Sequence, residues 1–230
     1  MLNLIAAALY FVLIHLFVSG TRLRDVLVAR IGLGPYMGLF ALASVAGLVW
    51  LGFAFAGARG GPGDAVYWEI TPATRYVQIG LQLLAFLLIV PGITTRNPTS
   101  VRQEAALDNP DVVRGMVRIS RHPFLWGVAI WAAGHLLVNG DAASLVLFGS
   151  LLALALFGTA SIDAKRKRAL GEKWDAFAAQ TSSVPFGAIA SGRQRLSLRE
   201  IGPLRILIAV AVWAVLLWAH PFLFGTRALP

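Results

Sequence analysis

The sequence predicts an all-α, polytopic membrane fold of about six transmembrane helices, with an amphipathic helix along one membrane face. Three observations carry this. First, 57% of the 230 residues are hydrophobic and only 13% are charged, with a mean hydropathy of +0.72. A soluble domain carries about twice that share of charge, so much of this surface cannot face water. Second, six apolar stretches recur along the chain, most of them near the roughly 20 residues that a bilayer requires. Third, 17 of the 20 Lys and Arg residues fall in the loops after the first, third and fifth stretches or, for Arg205, at the very start of the sixth. Only Arg59, Arg75 and Arg227 lie on the other side.

The stretches are 2–18, 34–57, 76–93, 123–138, 142–162 and 203–224. The first lacks the basic start and small-residue cleavage site of a signal peptide, so it counts as a helix. The fourth is the shortest and most polar. Positive-inside bias puts the basic loops in the cytoplasm and both termini on the other side. The net charge of +9 is thus orienting charge, with no nucleic-acid partner implied. Loop 94–121 carries Asn97-Pro98 and Asn109-Pro110, which are turn signals. Segment 163–202 starts as a continuation of the fifth helix. There Leu170, Trp174, Phe177 and Ala178 share one helical face, opposite Lys and Arg. That pattern predicts an amphipathic helix on the inner membrane surface, ended by Val184-Pro185. The whole chain, 1–230, reads as one transmembrane domain.

The chain has no cysteine, which excludes disulfides, thiolate-ligated haem and iron–sulfur clusters. No Asp or Glu interrupts an apolar core, so a midplane carboxylate relay is not expected. All four histidines, His15, His122, His135 and His220, lie within apolar stretches or at their ends. One reading is four separate interhelical hydrogen bonds. The other is metal ligation, and all-histidine ligation inside a helical bundle points to haem. The richest polar run is Arg118 to Gly127, continuing through Trp131, His135 and Asn139. Arg118 and Arg121 stand where they could meet headgroups, propionates or phosphate. Arg75, Gln78 and Gln82 form a polar stripe on the third helix, suited to interhelical bonding or to lining a site. As hydrogen-bond partners the spacing offers the Phe11 carbonyl for His15 and Asn139 for His135.

At these residues the chain resembles the NnrU family, with the zeta-carotene isomerases of plants and cyanobacteria among its relatives. The likeness runs through His15 and the following Arg-Leu-Arg-Asp, then Met116 to Pro123, Trp131 and His135. It continues through Trp174, Thr181, Val184-Pro185-Phe186, Gly192-Arg193-Gln194 and Ala219-His220-Pro221. The resemblance implies a haem b held between His15 and His135, and action on a cis double bond of a carotenoid or another lipophilic isoprenoid. A further histidine of those isomerases falls near Ala56 here and is missing. The family's name also implies a setting in nitrite and nitric oxide respiration, in a bacterial inner membrane.

A second resemblance is to the isoprenylcysteine carboxyl methyltransferase superfamily. It rests on Arg121-His122-Pro123, Gly127, Leu170-Gly171, Trp174 and Phe177. It implies S-adenosylmethionine binding, although Leu125 replaces that pattern's Tyr and Asp163 stands alone in place of an acidic pair. A non-catalytic assembly factor for a respiratory reductase is the third expectation. Helix direction sets a conflict with the first. His15 ends an inward helix and His135 an outward one, so their depths differ by roughly 15 Å at 1.5 Å per residue. Depth pairs His15 with His122 and His135 with His220.

Overall fold

The computed structural model describes residues 1–229, which form helices and connecting turns with no strand among them. Helix α1 (Leu2–Leu13) continues through a π-helical turn (Ile14–Val18), and α2 (Arg22–Ile31) leaves that span at 78°. The long α3 (Leu33–Ala58) and α4 (Pro72–Thr94) follow. A looped region then holds a 3-10 turn (Glu104–Asp108) and the one-turn α5 (Met116–Ile119). Next come α6 (Pro123–Val138), α7 (Ala142–Leu170) and α8 (Glu172–Gln180). The single turns α9 (Gly187–Ala190) and α10 (Leu198–Ile201) lead into α11 (Pro203–Phe224).

Local chemistry sets the starts of these helices. Thr71 and Thr74 form a reciprocal capping box at α4, and Asp141 accepts from the Ser144 amide at α7. Proline opens α4, α6 and α11, where its missing N–H costs nothing. Gly171 ends α7 at φ 53°, a conformation a side chain disfavours.

By length and composition α3, α4, α7 and α11 can each cross a bilayer, and the bent α1–α2 pair would make a fifth span. Helix α6 takes the place of the fourth expected span. Its 16 residues rise about 24 Å, short of a hydrocarbon core of about 30 Å. Large apolar side chains on these helices, such as Leu42, Phe53, Phe157 and Trp218, point outward from the protein. An apolar exterior over helices with internally satisfied backbones is what lipid demands.

Packing relies on small residues. On α1, Leu4, Ala7 and Ala8 bury against Leu51, Ala54 and Ala58 of α3 and Ala143 of α7. Helices α4 and α6 meet closely at Gly127, where an added Cβ would lie 2.9 Å from the Ala85 carbonyl oxygen. On one face the basic loops are tied together: Arg168 donates to the Gly20 carbonyl and Arg166 to that of Ser100. We call this the basic face. On the far face, Tyr67 bonds to Gly140 and Arg75 reaches the Leu229 carbonyl.

The segment after α7 departs from expectation. The fifth helix does continue, to Leu170, but Gly171 breaks it and α8 ends at Gln180, before Val184-Pro185. The apolar face of α8 does not lie on the membrane. Trp174 and Phe177, each 2% exposed, bury against Val117, Leu107, Val112 and Val113. The protein's own loop offers a fixed, dry partner for that face, and helical periodicity cannot tell such a partner from lipid.

Candidate functional site

The first part of the site is built at the start of α6. Pro123 fixes the helix start, so Arg121 and His122 come just before it and project toward α7. There Asp163 takes both: Arg121 donates through Nε at 3.0 Å and Nη2 at 2.5 Å, and His122 Nε2 lies 2.6 Å from Oδ1. His122 is only 2% exposed. The backbone around it is equally committed. Asn97 and Thr99 both donate to the Arg121 carbonyl, Arg121 N–H donates to Ser182, and Ser120 and Trp126 donate to Ser183. The Arg-His-Pro run thus knots three chain segments together on the basic face. Its charged groups are saturated by one another.

Arg118 lies elsewhere. Its guanidinium donates to both Glu200 oxygens, at 2.8 and 3.1 Å, and to Gln194 at 2.7 Å. Glu200 also accepts from the Gly115 amide. The Arg118 bond, then that amide, hold this carboxyl below its ordinary value. Arg118 therefore anchors the segment ahead of α11 and is not free for a propionate or phosphate.

The other histidines share one device. Nδ1 of His15 lies 2.7 Å from the Phe11 carbonyl, that of His135 2.8 Å from the Trp131 carbonyl, and that of His220 2.8 Å from the Thr226 carbonyl. A carbonyl only accepts, so Nδ1 must carry the proton. In each neutral ring Nε2 is then a bare lone pair, the form that ligates metals or accepts protons. The Phe11 partner is the one the spacing offered. Asn139 is not: its amide donates to the His135 backbone carbonyl and leaves the ring alone. His15 sits in the π-helical turn between Phe11 and Phe40, with Nε2 3.5 Å from Ser44 Oγ. His135 stacks on Phe148 at 4.6 Å and 17°.

These contacts also measure depth. His15 is level with Phe40 and Ser44 of α3, whereas Phe148 beside His135 meets Phe55. From Ser44 to Phe55 is 11 residues, or about 17 Å. Along α7 the gap is smaller: Gly20 abuts Ser161, so His15, five residues before it, is level with about residue 156, roughly 8 residues or about 12 Å from Phe148 beside His135. One haem between His15 and His135 needs both Nε2 atoms at a single iron. Each ring, with its bare Nε2, fits an iron ligand, and His15 and His135 are the residues that would hold the iron. The structure places His15 with His122 toward the basic face, and His135 with His220 toward the far face.

Sequence reasoning named Asp163 only as the lone acid of the methyltransferase resemblance and overlooked Glu200. Asp163 and Glu200 lie 41 and 82 residues from their partners His122 and Arg118, so no local pattern marks them.

A family model described as "NnrU protein" matches residues 3–228. The chain is 32% identical over 127 residues to the 15-cis-zeta-carotene isomerase, chloroplastic, of Arabidopsis thaliana, covering 53% of this chain and 35% of that protein. It is 35% identical over 95 residues to the protein of the same description from Zea mays, covering 40% of this chain and 26% of that one. The matched regions thus span about a third of those relatives' length or less. No solved structure is matched.

Proposed function

The chain belongs to the NnrU family, and from that membership we propose that it acts within the bilayer on a polyene isoprenoid, shifting a cis double bond to trans. The observation that carries this reading is the likeness to two 15-cis-zeta-carotene isomerases over about half of this chain. Such a reaction leaves atoms and electrons in balance, so the protein must only lower the barrier to rotation about one bond. An apolar exterior gives a hydrocarbon substrate access from lipid, and the unprotonated Nε2 atoms of His15 and His135 are the basic groups within the bundle.

Haem b belongs to this reading through the resemblance, with His15 and His135 as the residues that would hold it. The orientation, with both termini on the side away from the cytoplasm, follows from the charge bias, and a place in a bacterial inner membrane follows from the family name. A link to nitrite or nitric oxide respiration follows from the family name. The test is chromatography of 15-cis-zeta-carotene incubated in the dark with the protein in liposomes, in air and under dithionite. Conversion above empty liposomes supports the proposal. An unchanged isomer ratio under both conditions overturns it.

A further inference from the structure

Helix α2 is a bridge between two spans. Before it begins, Leu2–Val18 has already risen about 25 Å, most of a hydrocarbon core of about 30 Å. The chain then turns by 78° and runs through the ten residues of α2, capped by the Thr21 hydroxyl and ended by Gly32 at φ 84°. A helix at that angle to a span lies close to the membrane plane. It leaves on the basic face, where Gly20 accepts from Arg168 and abuts Ser161 of α7.

No residue of α2 is buried. Leu23 is 45% exposed and Val26 47%, and Arg22 and Arg30 are exposed beside them. At 3.6 residues per turn these four side chains share an arc of about 100°. On the opposite side Arg24 donates to Asp25 and lies over the Tyr36 ring of α3, so it is occupied within the protein. Among the described residues Arg22 and Arg30 meet no carboxylate, and neither does Lys165 of α7, which lies within electrostatic reach of Arg24 and Asp25. Water suits the arginines of this face and hydrocarbon suits Leu23 and Val26. The headgroup layer suits both, because apolar side chains reach the acyl boundary while guanidinium groups stay among phosphates. A zwitterionic headgroup cancels its own phosphate charge, whereas an anionic one leaves a net charge that complements unpaired cations.

We propose that α2 lies in the headgroup layer of the basic face and binds anionic phospholipid, with Leu23 and Val26 entering the acyl boundary and Arg22 and Arg30 holding the phosphates. The sequence pattern puts the amphipathic surface helix at 163–202, but α8 buries its apolar face in the protein's own loop. Helix α2 has no such partner. The site is independent of the isomerase reading, since it requires only the bilayer.

The chain has no cysteine, so bimane attached to Val26→Cys reports from α2 alone. Labelled protein is placed in phosphatidylcholine nanodiscs that carry a lipid spin-labelled high on its acyl chain, either phosphatidylglycerol or phosphatidylcholine. Bimane quenching is followed against the mole fraction of that lipid. Both lipids quench, and phosphatidylglycerol does so at a mole fraction at least about five-fold lower, the effect of a single Lys or Arg near an anionic surface. The double substitution Arg22→Gln, Arg30→Gln in the labelled protein removes that preference and leaves quenching by phosphatidylcholine in place, so the helix still lies on the membrane. Absence of quenching by either lipid puts α2 in water and overturns the proposal. Equal quenching by the two lipids when both arginines are present, or a preference that survives the double substitution, overturns it as well.

Discussion

A single backbone carbonyl decides what each ligand-like histidine can do. With Nδ1–H given to Phe11 or Trp131, the proton of the neutral ring is fixed and Nε2 is bare. Nitrogen NMR of histidine-labelled protein should show this tautomer for His15, His135 and His220; Nε2–H forms would contradict the hydrogen bonds. With His15 and His135 as the two iron ligands, His15→Ala and His135→Ala should each abolish stoichiometric haem while leaving membrane insertion intact. A haem-to-protein ratio that stays unchanged in either variant would remove that histidine from the ligand pair. Asp163 is the other decisive residue, since its carboxylate accepts from both Arg121 and the sealed His122. Asp163→Ala leaves two buried donors without a partner and should destabilise the protein by about 3 kcal/mol. Thermal unfolding in detergent measures this, and a loss below about 1 kcal/mol would mean that the knot is held by its backbone bonds.

Among the elements, α4 and α6 depend on close approach. A Cβ at Gly127 would meet the Ala85 carbonyl oxygen at 2.9 Å and the Ile89 backbone nitrogen at 3.0 Å. Backbone atoms cannot swing aside, so Gly127→Ala must push the helices apart, at a cost of about 1–3 kcal/mol. An unchanged melting temperature for this variant would refute the close contact. The segment 191–202 is held differently, through Glu200 on Arg118 and Gly115. Its carboxyl titrates below the ordinary 4.5, so the unfolded chain takes up the proton at higher pH than the folded one. The contact therefore contributes fully above that value, and its contribution is lost as pH falls through the lowered one. Trypsin cleavage at Arg195 and Arg199 should be slow at neutral pH in the unaltered protein and fast in Glu200→Gln. Hydrogen exchange at Gly115 should accelerate only on acidification below 4.5. Exchange that does not change with pH in this range would remove Glu200 as the anchor.

At the scale of the whole molecule, charge sets the orientation and hydrogen bonds confirm which loops share a face. Arg168 with Gly20 and Arg166 with Ser100 bring residues far apart in sequence to the same side. The absence of cysteine makes the orientation simple to test. A cysteine placed at Lys167 should be shielded from an impermeant thiol reagent in intact cells, and one placed at Gly61 should react. The reverse pattern would invert the topology. A match on both sites would place the basic face toward the cytoplasm.

Much of the fold was legible because its causes are local. Bilayer thickness fixes the length of an apolar run, Pro123 and Pro203 fix where helices begin, and cation bias fixes which loops lie together. The stretches at 123–138 and 203–224 coincide with α6 and α11. The conflict between depth and family pairing was legible too, since opposite helix directions alone set His15 and His135 at different depths. The sequence could not show what the face of α8 packs against, because a membrane and a buried loop select the same apolar periodicity. Nor could it show that Arg118 is taken by Glu200, that Asp163 joins Arg121 to His122, or that two glutamine oxygens go unpaired beside Gly134. Those are contacts between distant segments, and only tertiary packing decides which side chain reaches which.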